Sequence, residues 1–186
     1  MPVYLLTAHA YRSWRADHPK GYVQHGEGLQ PPDARRAAWR EGHARQPPAR
    51  FGDEAQRAMH DELAAVLGEL GVILYAAATC PTHVHVLAGF GGPPCTCDGN
   101  AYCLSGCPAR ERARRVLSRL KQRLGRRLAL DAGVRGRMWF SRGGDLTPVR
   151  GRDHFRHLID RYLPDHQARQ AGVFRAHPIS RGGTRT

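Results

Sequence analysis

Residues 72–90 constrain this chain more than any other stretch. They read as one strand, a tight turn at Cys80-Pro81, and a second strand carrying Thr82-His83-Val84-His85-Val86. Side chains alternate between faces along a strand. His83 and His85 therefore project side by side from one face, with Val84, Val86 and Leu87 to pack around them. Two imidazoles two residues apart on a rigid strand form a pair of metal ligands. The chain holds 11 His, so one His-x-His spacing is weak by itself. The remaining sequence has to decide between metal ligands and ordinary strand histidines.

The segments around this hairpin have their own periodicities. Residues 3–10 alternate as a first strand, and Tyr11-Arg12-Ser13-Trp14 continues it outwards. Residues 24–52 are rich in Gly and Pro and carry Arg35, Arg36, Arg40, Arg45 and Arg50. A short helix fits 35–40, and so long a connection points to function or motion, here a nucleic-acid contact surface. Asp53 with Gln56 has the spacing of a capping box. Ala55, Met59, Leu63, Val66, Leu67 and Leu70 then recur at helical intervals until Gly68 and Gly71 end the helix. A second helix is expected over 110–130, with Val116, Leu117, Leu120, Leu124 and Leu128 as its apolar stripe. A short strand at Met138-Trp139-Phe140 follows. A third helix, capped by Asp153, carries Phe155, Leu158, Ile159 and Tyr162, and Pro164 ends or kinks it. From Ala176 onward the sequence reads as a disordered basic tail.

The order strand, helix, strand, strand, helix, strand, helix predicts an α+β fold. Its core is a ferredoxin-like antiparallel sheet with two helices on one face. A C-terminal helix carries Tyr162, and a small Cys-rich insertion spans 91–108. One domain, 1–175, is expected, with 176–186 as tail.

Charge narrows the partner. The 186 residues carry a formal net charge of +13, and the pI is near 10.5. Such an excess points to a polyanion, with nucleic acid ahead of an anionic membrane surface. No apolar run is long enough to span a bilayer, and the N-terminus lacks a signal-peptide pattern, so a cytoplasmic protein is expected. The second helix is the main candidate contact. Arg112, Arg115, Arg119, Lys121, Arg123, Arg126 and Arg127 lie off its apolar stripe with few acidic residues among them, as a phosphate-binding ridge would.

Four of the five cysteines, Cys95, Cys97, Cys103 and Cys107, fall in one Gly/Pro-rich segment. Few apolar residues are there to bury them. Their spacing suits a tetrahedral thiolate site, with structural Zn²⁺ the first choice and an iron–sulfur cluster the second. Four thiolates would leave no open position, so this site should not be catalytic.

Taken together, these motifs resemble those of single-tyrosine HUH transposases of small bacterial insertion sequences, nearest to the REP-associated tyrosine transposases. The likeness rests on residues 6–14 with Gly21-Tyr22-Val23, on Pro81-Thr82-His83-Val84-His85-Val86-Leu87, on residues 139–144, and on Tyr162-Leu163-Pro164-Asp165-His166. It covers residues 3–174, apart from the cysteine segment.

The resemblance implies cleavage of single-stranded or hairpin DNA, with Tyr162 as nucleophile and a covalent 5′-phosphotyrosine intermediate, followed by rejoining. It implies a catalytic Mg²⁺ or Mn²⁺ on His83, His85 and a third ligand one helical turn beyond the tyrosine. That ligand is His166, with Gln167 as a rival because Pro164 intervenes. It also implies a cytoplasmic, nucleoid-associated protein, acting either as a monomer or as a homodimer in which Tyr162 serves a partner's histidines. Two alternatives stand beside it. One is a catalytically silent, domesticated hairpin DNA-binding protein with a zinc knuckle. The other is an RNA-binding zinc-knuckle protein, which leaves the ordered His-Val-His and Tyr-x-x-x-His as coincidence.

Overall fold

The computed structural model describes residues 1–24, 27–92, 107–170 and 172–177, with backbone only at 166, 167, 169 and 170. At its centre is the predicted hairpin, β4 (Val72–Cys80) and β5 (His83–Phe90). On the other side of β5 lies β1 (Val3–His9), antiparallel, with His9 opposite His83 and Thr7 opposite His85. β6 (Asp145–Pro148) pairs with the outer edge of β1, and β7 (Val173–Ala176) with the outer edge of β4. The five-stranded order is therefore β6-β1-β5-β4-β7. The first four form the ferredoxin-like antiparallel arrangement expected from the element order.

Alternation along the strands gives the sheet two buried faces. Tyr4, Leu6 and Ala8 of β1 and Val84, Val86 and Ala88 of β5 point to one face. Two amphipathic helices cover it: α2 (Asp53–Glu69) through Met59, Leu63, Val66 and Leu67, and α3 (Pro108–Asp131) through Val116, Leu117, Leu120, Leu124 and Leu128. Leu5, Ala76, Ala78 and Leu87 point to the opposite face, against Leu158 and Leu163. The third helical segment thus packs across the sheet from α2 and α3, on the face that carries His83 and His85.

That segment is α4 (Gly151–His157), a π-turn at Leu158–Tyr162, and α5 (Leu163–Gln170). Pro164 neither ends nor breaks it. Proline has no N–H and crowds the preceding turn of an α-helix. The turn just before it is widened, and the Leu163 N–H bonds back five residues to the Leu158 carbonyl. Such single π-turns recur at functional sites.

Other expectations need correction. Gly52, not Asp53, is the N-cap of α2, and Gln56 does not reach back to form a capping box. The Gln56 side chain is buried, donating to the Phe51 carbonyl at 3.3 Å and accepting from Thr79 Oγ1 of β4 at 3.1 Å. The strand expected at 138–140 is a single bridge between Phe140 and Ala10, and Trp139 and Phe140 turn into the α2–α3 core. The edge strand instead lies at Asp145–Pro148.

In residues 24–52 the short helix expected at 35–40 is present as α1 (Ala34–Gly42), while an unexpected strand, β3 (Gly28–Gln30), pairs antiparallel with β2 (Tyr22–Gln24). α1 is capped by Asp33, whose carboxylate accepts from the Arg36 N–H at 2.8 Å. Ala176, expected in the tail, ends β7, and the His177 N–H bonds the Tyr75 carbonyl. Residues 178–186 lie outside the described residues. Among the described residues no helix is long and apolar enough to cross a membrane.

Candidate active site

The site is built on the β1–β5 pairing. His83 and His85 share a face, their ring centroids 4.8 Å apart at 81°. His85 is buried, and its Nδ1 lies 2.9 Å from Thr7 Oγ1 on the neighbouring strand. A hydrogen bond to one ring nitrogen fixes the orientation of a ligating histidine and points its other nitrogen at the metal. With Nδ1 engaged by Thr7, Nε2 is the nitrogen His85 would offer. His83 Nδ1 lies 2.9 Å from Thr82 Oγ1 and 3.1 Å from Cys80 Sγ, so the tight turn orients this ring too.

Tyr162 comes to these histidines from the helical layer. Its ring meets His85 edge-on, centroids 5.6 Å apart at 65°, and the residue keeps 37% of its surface exposed. Burial first, and then the negative charge of Asp145, hold the phenol above its ordinary pKa. At neutral pH the hydroxyl is therefore protonated. Tyr162 and His85 meet within one chain.

Two residues of this cluster escaped the sequence. His9 lies beside His83 with ring centroids 5.7 Å apart, and its Nε2 donates to Asp145 Oδ2 at 3.0 Å. The hydrogen bond from His9 holds the Asp145 carboxyl below the usual carboxylate range, against the opposing effect of burial. The available signal was the spacing of Thr7-Ala8-His9, which repeats the i, i+2 pattern of His83 and His85. It acquires meaning only once β1 is paired with β5.

Position 166 follows Tyr162 by four residues, and the backbone from 163 onward is α-helical, so the two lie on one side of the helix. The side chains of His166 and Gln167 lie outside the description. Among the described residues no group of three His, Cys, Asp or Glu is arranged to hold a metal ion. The donors present nevertheless suit a divalent ion: two imidazoles on one rigid strand, each backed by a threonine hydroxyl at Nδ1. Cys95, Cys97 and Cys103 also lie outside the described residues. Cys107 is buried and stands as the N-cap residue of α3, immediately before Pro108.

The basic ridge of α3 divides into two classes. Arg123 donates to Glu62 at 2.9 Å and to Glu69 at 2.9 and 3.3 Å, both on α2. Arg127 pairs with Asp131 one turn on, and Arg112 donates to the Gly91 carbonyl at 2.7 Å. Lys121, half-buried and with its pKa lowered by that burial, donates to the carbonyls of Ser141 and Gly143 and anchors the loop before β6. The acidic balance missing from the α3 sequence is thus partly supplied by α2, which only packing could reveal. Arg115, Arg119 and Arg126 are exposed on the outer side of the helix.

No family model matches the chain. No curated protein matches it either. Among solved structures, a REP-associated tyrosine transposase bound to a REP hairpin superposes with a TM-score of 0.46 at 9% identity, over 90% of this chain and 67% of that one. At that distance the likeness identifies no activity, and the chemistry has to come from the side chains.

Proposed function

We propose that the protein is a metal-dependent single-strand DNA endonuclease and strand transferase that acts on hairpin DNA through Tyr162. The observation that carries this is the meeting of the Tyr162 ring with His85 on the sheet face that also presents His83. In the proposed step Tyr162 Oη forms a bond to phosphorus and the bond from phosphorus to the 3′ oxygen breaks. The 5′ phosphate stays on the tyrosine, and in net terms the phenol proton ends on the released 3′ hydroxyl. Rejoining is the same step in reverse.

A protonated phenol is a poor nucleophile, so the step needs its charge development offset. Mg²⁺ or Mn²⁺ held by His83, His85 and a donor at 166 or 167 would polarise the scissile phosphate and stabilise that charge. Thr7 holds the His85 ring in its orientation, and the π-turn sets Tyr162 against that ring. The exposed arginines Arg115, Arg119 and Arg126 supply sequence-independent attraction for the phosphate backbone. Cys95, Cys97, Cys103 and Cys107 together would hold one structural Zn²⁺ next to the start of α3.

The test is a denaturing gel of the purified protein with pooled single-stranded DNA hairpins and Mg²⁺ or Mn²⁺. A covalent protein–DNA adduct is expected, lost without added metal and in both Tyr162→Phe and His83→Ala. An adduct that survives Tyr162→Phe removes Tyr162 from the role of nucleophile. Tight hairpin binding with no adduct in any pool turns the protein into a hairpin-binding module. Elemental analysis of the same preparation is expected to find one zinc per chain, and a chain free of both zinc and iron rejects the thiolate site.

A further inference from the structure

A second cleft opens where β1 runs out, at Tyr11 and Arg12, just past His9. Its volume is about 230 Å³, and Arg12, Trp14, Arg15, Arg40, Glu41 and Arg142 lie on its wall. Four guanidinium groups and one carboxylate thus line the cleft. That carboxylate is already engaged: Arg12 Nη2 donates to Glu41 Oε2 at 2.6 Å, and Arg15 Nη1 lies 3.6 Å from the same oxygen. Arg15 is also paired with Asp17 at 3.0 and 3.1 Å, which leaves Arg40 and Arg142 as the cationic surplus.

Its frame is fixed in advance. Arg12 has φ +58°, a left-handed backbone that a residue with a Cβ adopts only when its surroundings enforce it. The Arg12 N–H donates to Ser141 Oγ, and its Nη1 donates to the Gln46 carbonyl at 3.1 Å. Trp14 is 46% exposed yet held in place. Its Nε1 donates to the Gly21 carbonyl at 3.0 Å, and its ring stacks on His18 with centroids 4.3 Å apart at 26°. An indole held by its N–H and by one face has little rotamer entropy left to lose when its other face is covered.

A flat apolar face ringed by guanidinium groups matches an unpaired nucleotide. Every base offers a π-face to an aromatic ring, and each flanking phosphate fits an arginine fork. A neutral ligand would leave the charges unanswered, and a duplex keeps its base faces stacked inside. We propose that this cleft binds one unpaired nucleotide of single-stranded DNA, its base on Trp14 and its phosphates on Arg40 and Arg142. The cleft then guides the strand past the end of β1 as it leaves the histidine face. This rests on the proposal that the protein acts on single-stranded DNA.

The test uses the full chain as the Tyr162→Phe variant, which cannot form the adduct, and fluorescein-labelled oligothymidylate of about 12 nucleotides. Fluorescence anisotropy reads the affinity. Adding Trp14→Ala is expected to weaken binding about tenfold. Trp14→Phe retains most of the affinity, since it keeps an aromatic face. Arg142→Ala reduces the slope of log affinity against log salt by about 0.7.

Wild-type affinity in Trp14→Ala overturns the proposal. So does an equal loss on a matched duplex, or tighter binding of oligouridylate than of oligothymidylate. A protein that forms no adduct but binds through Trp14 retires the nuclease proposal alone. A working nuclease indifferent to Trp14→Ala retires this cleft alone.

Discussion

Gly144 holds the edge of the sheet in register, and its replacement by alanine has a calculable cost. The residue has φ +145°, and a Cβ there would lie 2.6 Å from the Thr7 carbonyl oxygen and 2.8 Å from Leu117 Cδ2. Leu117 can rotate away. The Thr7 carbonyl cannot, because β1 is paired on both sides, by β5 and by β6. Two costs therefore add. The backbone conformation costs ~1–3 kcal/mol for any residue with a Cβ. Forcing the start of β6 off its site resembles overpacking, at ~1–3 kcal/mol. Mid-range values sum to ~4 kcal/mol.

Gly143 is the matched comparison: φ is +72° and nothing lies within 4 Å of its Cβ position. Gly143→Ala carries only the left-handed backbone cost, ~1–2 kcal/mol. In a chain of this size 1 kcal/mol moves Tm by ~2–4 °C. Gly144→Ala should thus melt ~8–16 °C below wild type and Gly143→Ala ~2–8 °C below, followed by circular dichroism with urea titration as a check. Gly144→Ala should also displace Asp145 from His9 and Thr7, so adduct formation falls further than the lost stability explains. Equal melting temperatures in the two variants would refute the steric argument.

Three other perturbations separate roles within the molecule. Thr7→Val keeps shape but strips the hydroxyl from His85 Nδ1. It should cost ~1–3 kcal/mol in stability and weaken Mn²⁺ binding by about 10–100-fold, and calorimetry that finds wild-type Mn²⁺ affinity would remove Thr7 from an orienting role. His60 is buried on α2, donates from Nε2 to the Val173 carbonyl of β7 at 3.0 Å, and has its pKa lowered from 6.5, chiefly by burial. The unfolded chain therefore binds the proton more readily than the folded one. The stability His60 contributes is complete above pH 6.5 and is lost as pH falls through its lower folded pKa. His60→Gln should flatten urea-derived stability below pH 6.5, and an unchanged slope would count against it. Arg119→Ala should lower the salt slope of single-stranded DNA binding by ~0.7, whereas Arg123→Ala, already paired with Glu62 and Glu69, should leave it unchanged. Identical effects of the two would dissolve the distinction between the exposed and the engaged side of α3.

What the sequence by itself determined was local and periodic. Alternation placed His83 and His85 on one face of a strand, and the 3.6-residue stripes of 53–70 and 110–130 marked the two helices that cover the other face. These are properties of neighbouring residues along one element, so no knowledge of the partner element was needed. The order of the elements pointed to the ferredoxin-like sheet, because buried stripes leave few other ways to close it, although its fourth strand is β6 and not residues 138–140.

Only tertiary structure decided the rest. Gln56 has the spacing of a capping residue, but a buried Thr79 hydroxyl lies within its reach, and that long-range bond replaces the local one. Pro164 reads as a helix break, yet packing of Leu158 and Leu163 on the sheet holds the helix together through a π-turn. β6 and β7 are four-residue edge strands whose partners lie more than 90 residues away, so neither has a length or period that identifies it alone. His9 and Asp145 acquire a role only when β1 aligns with β5 on one side and β6 on the other. Arg123 changes from a free cation to a paired one when α2 brings up two glutamates. In each case the deciding interaction joins residues distant in sequence, and its energy exceeds the local preference that a linear pattern can express.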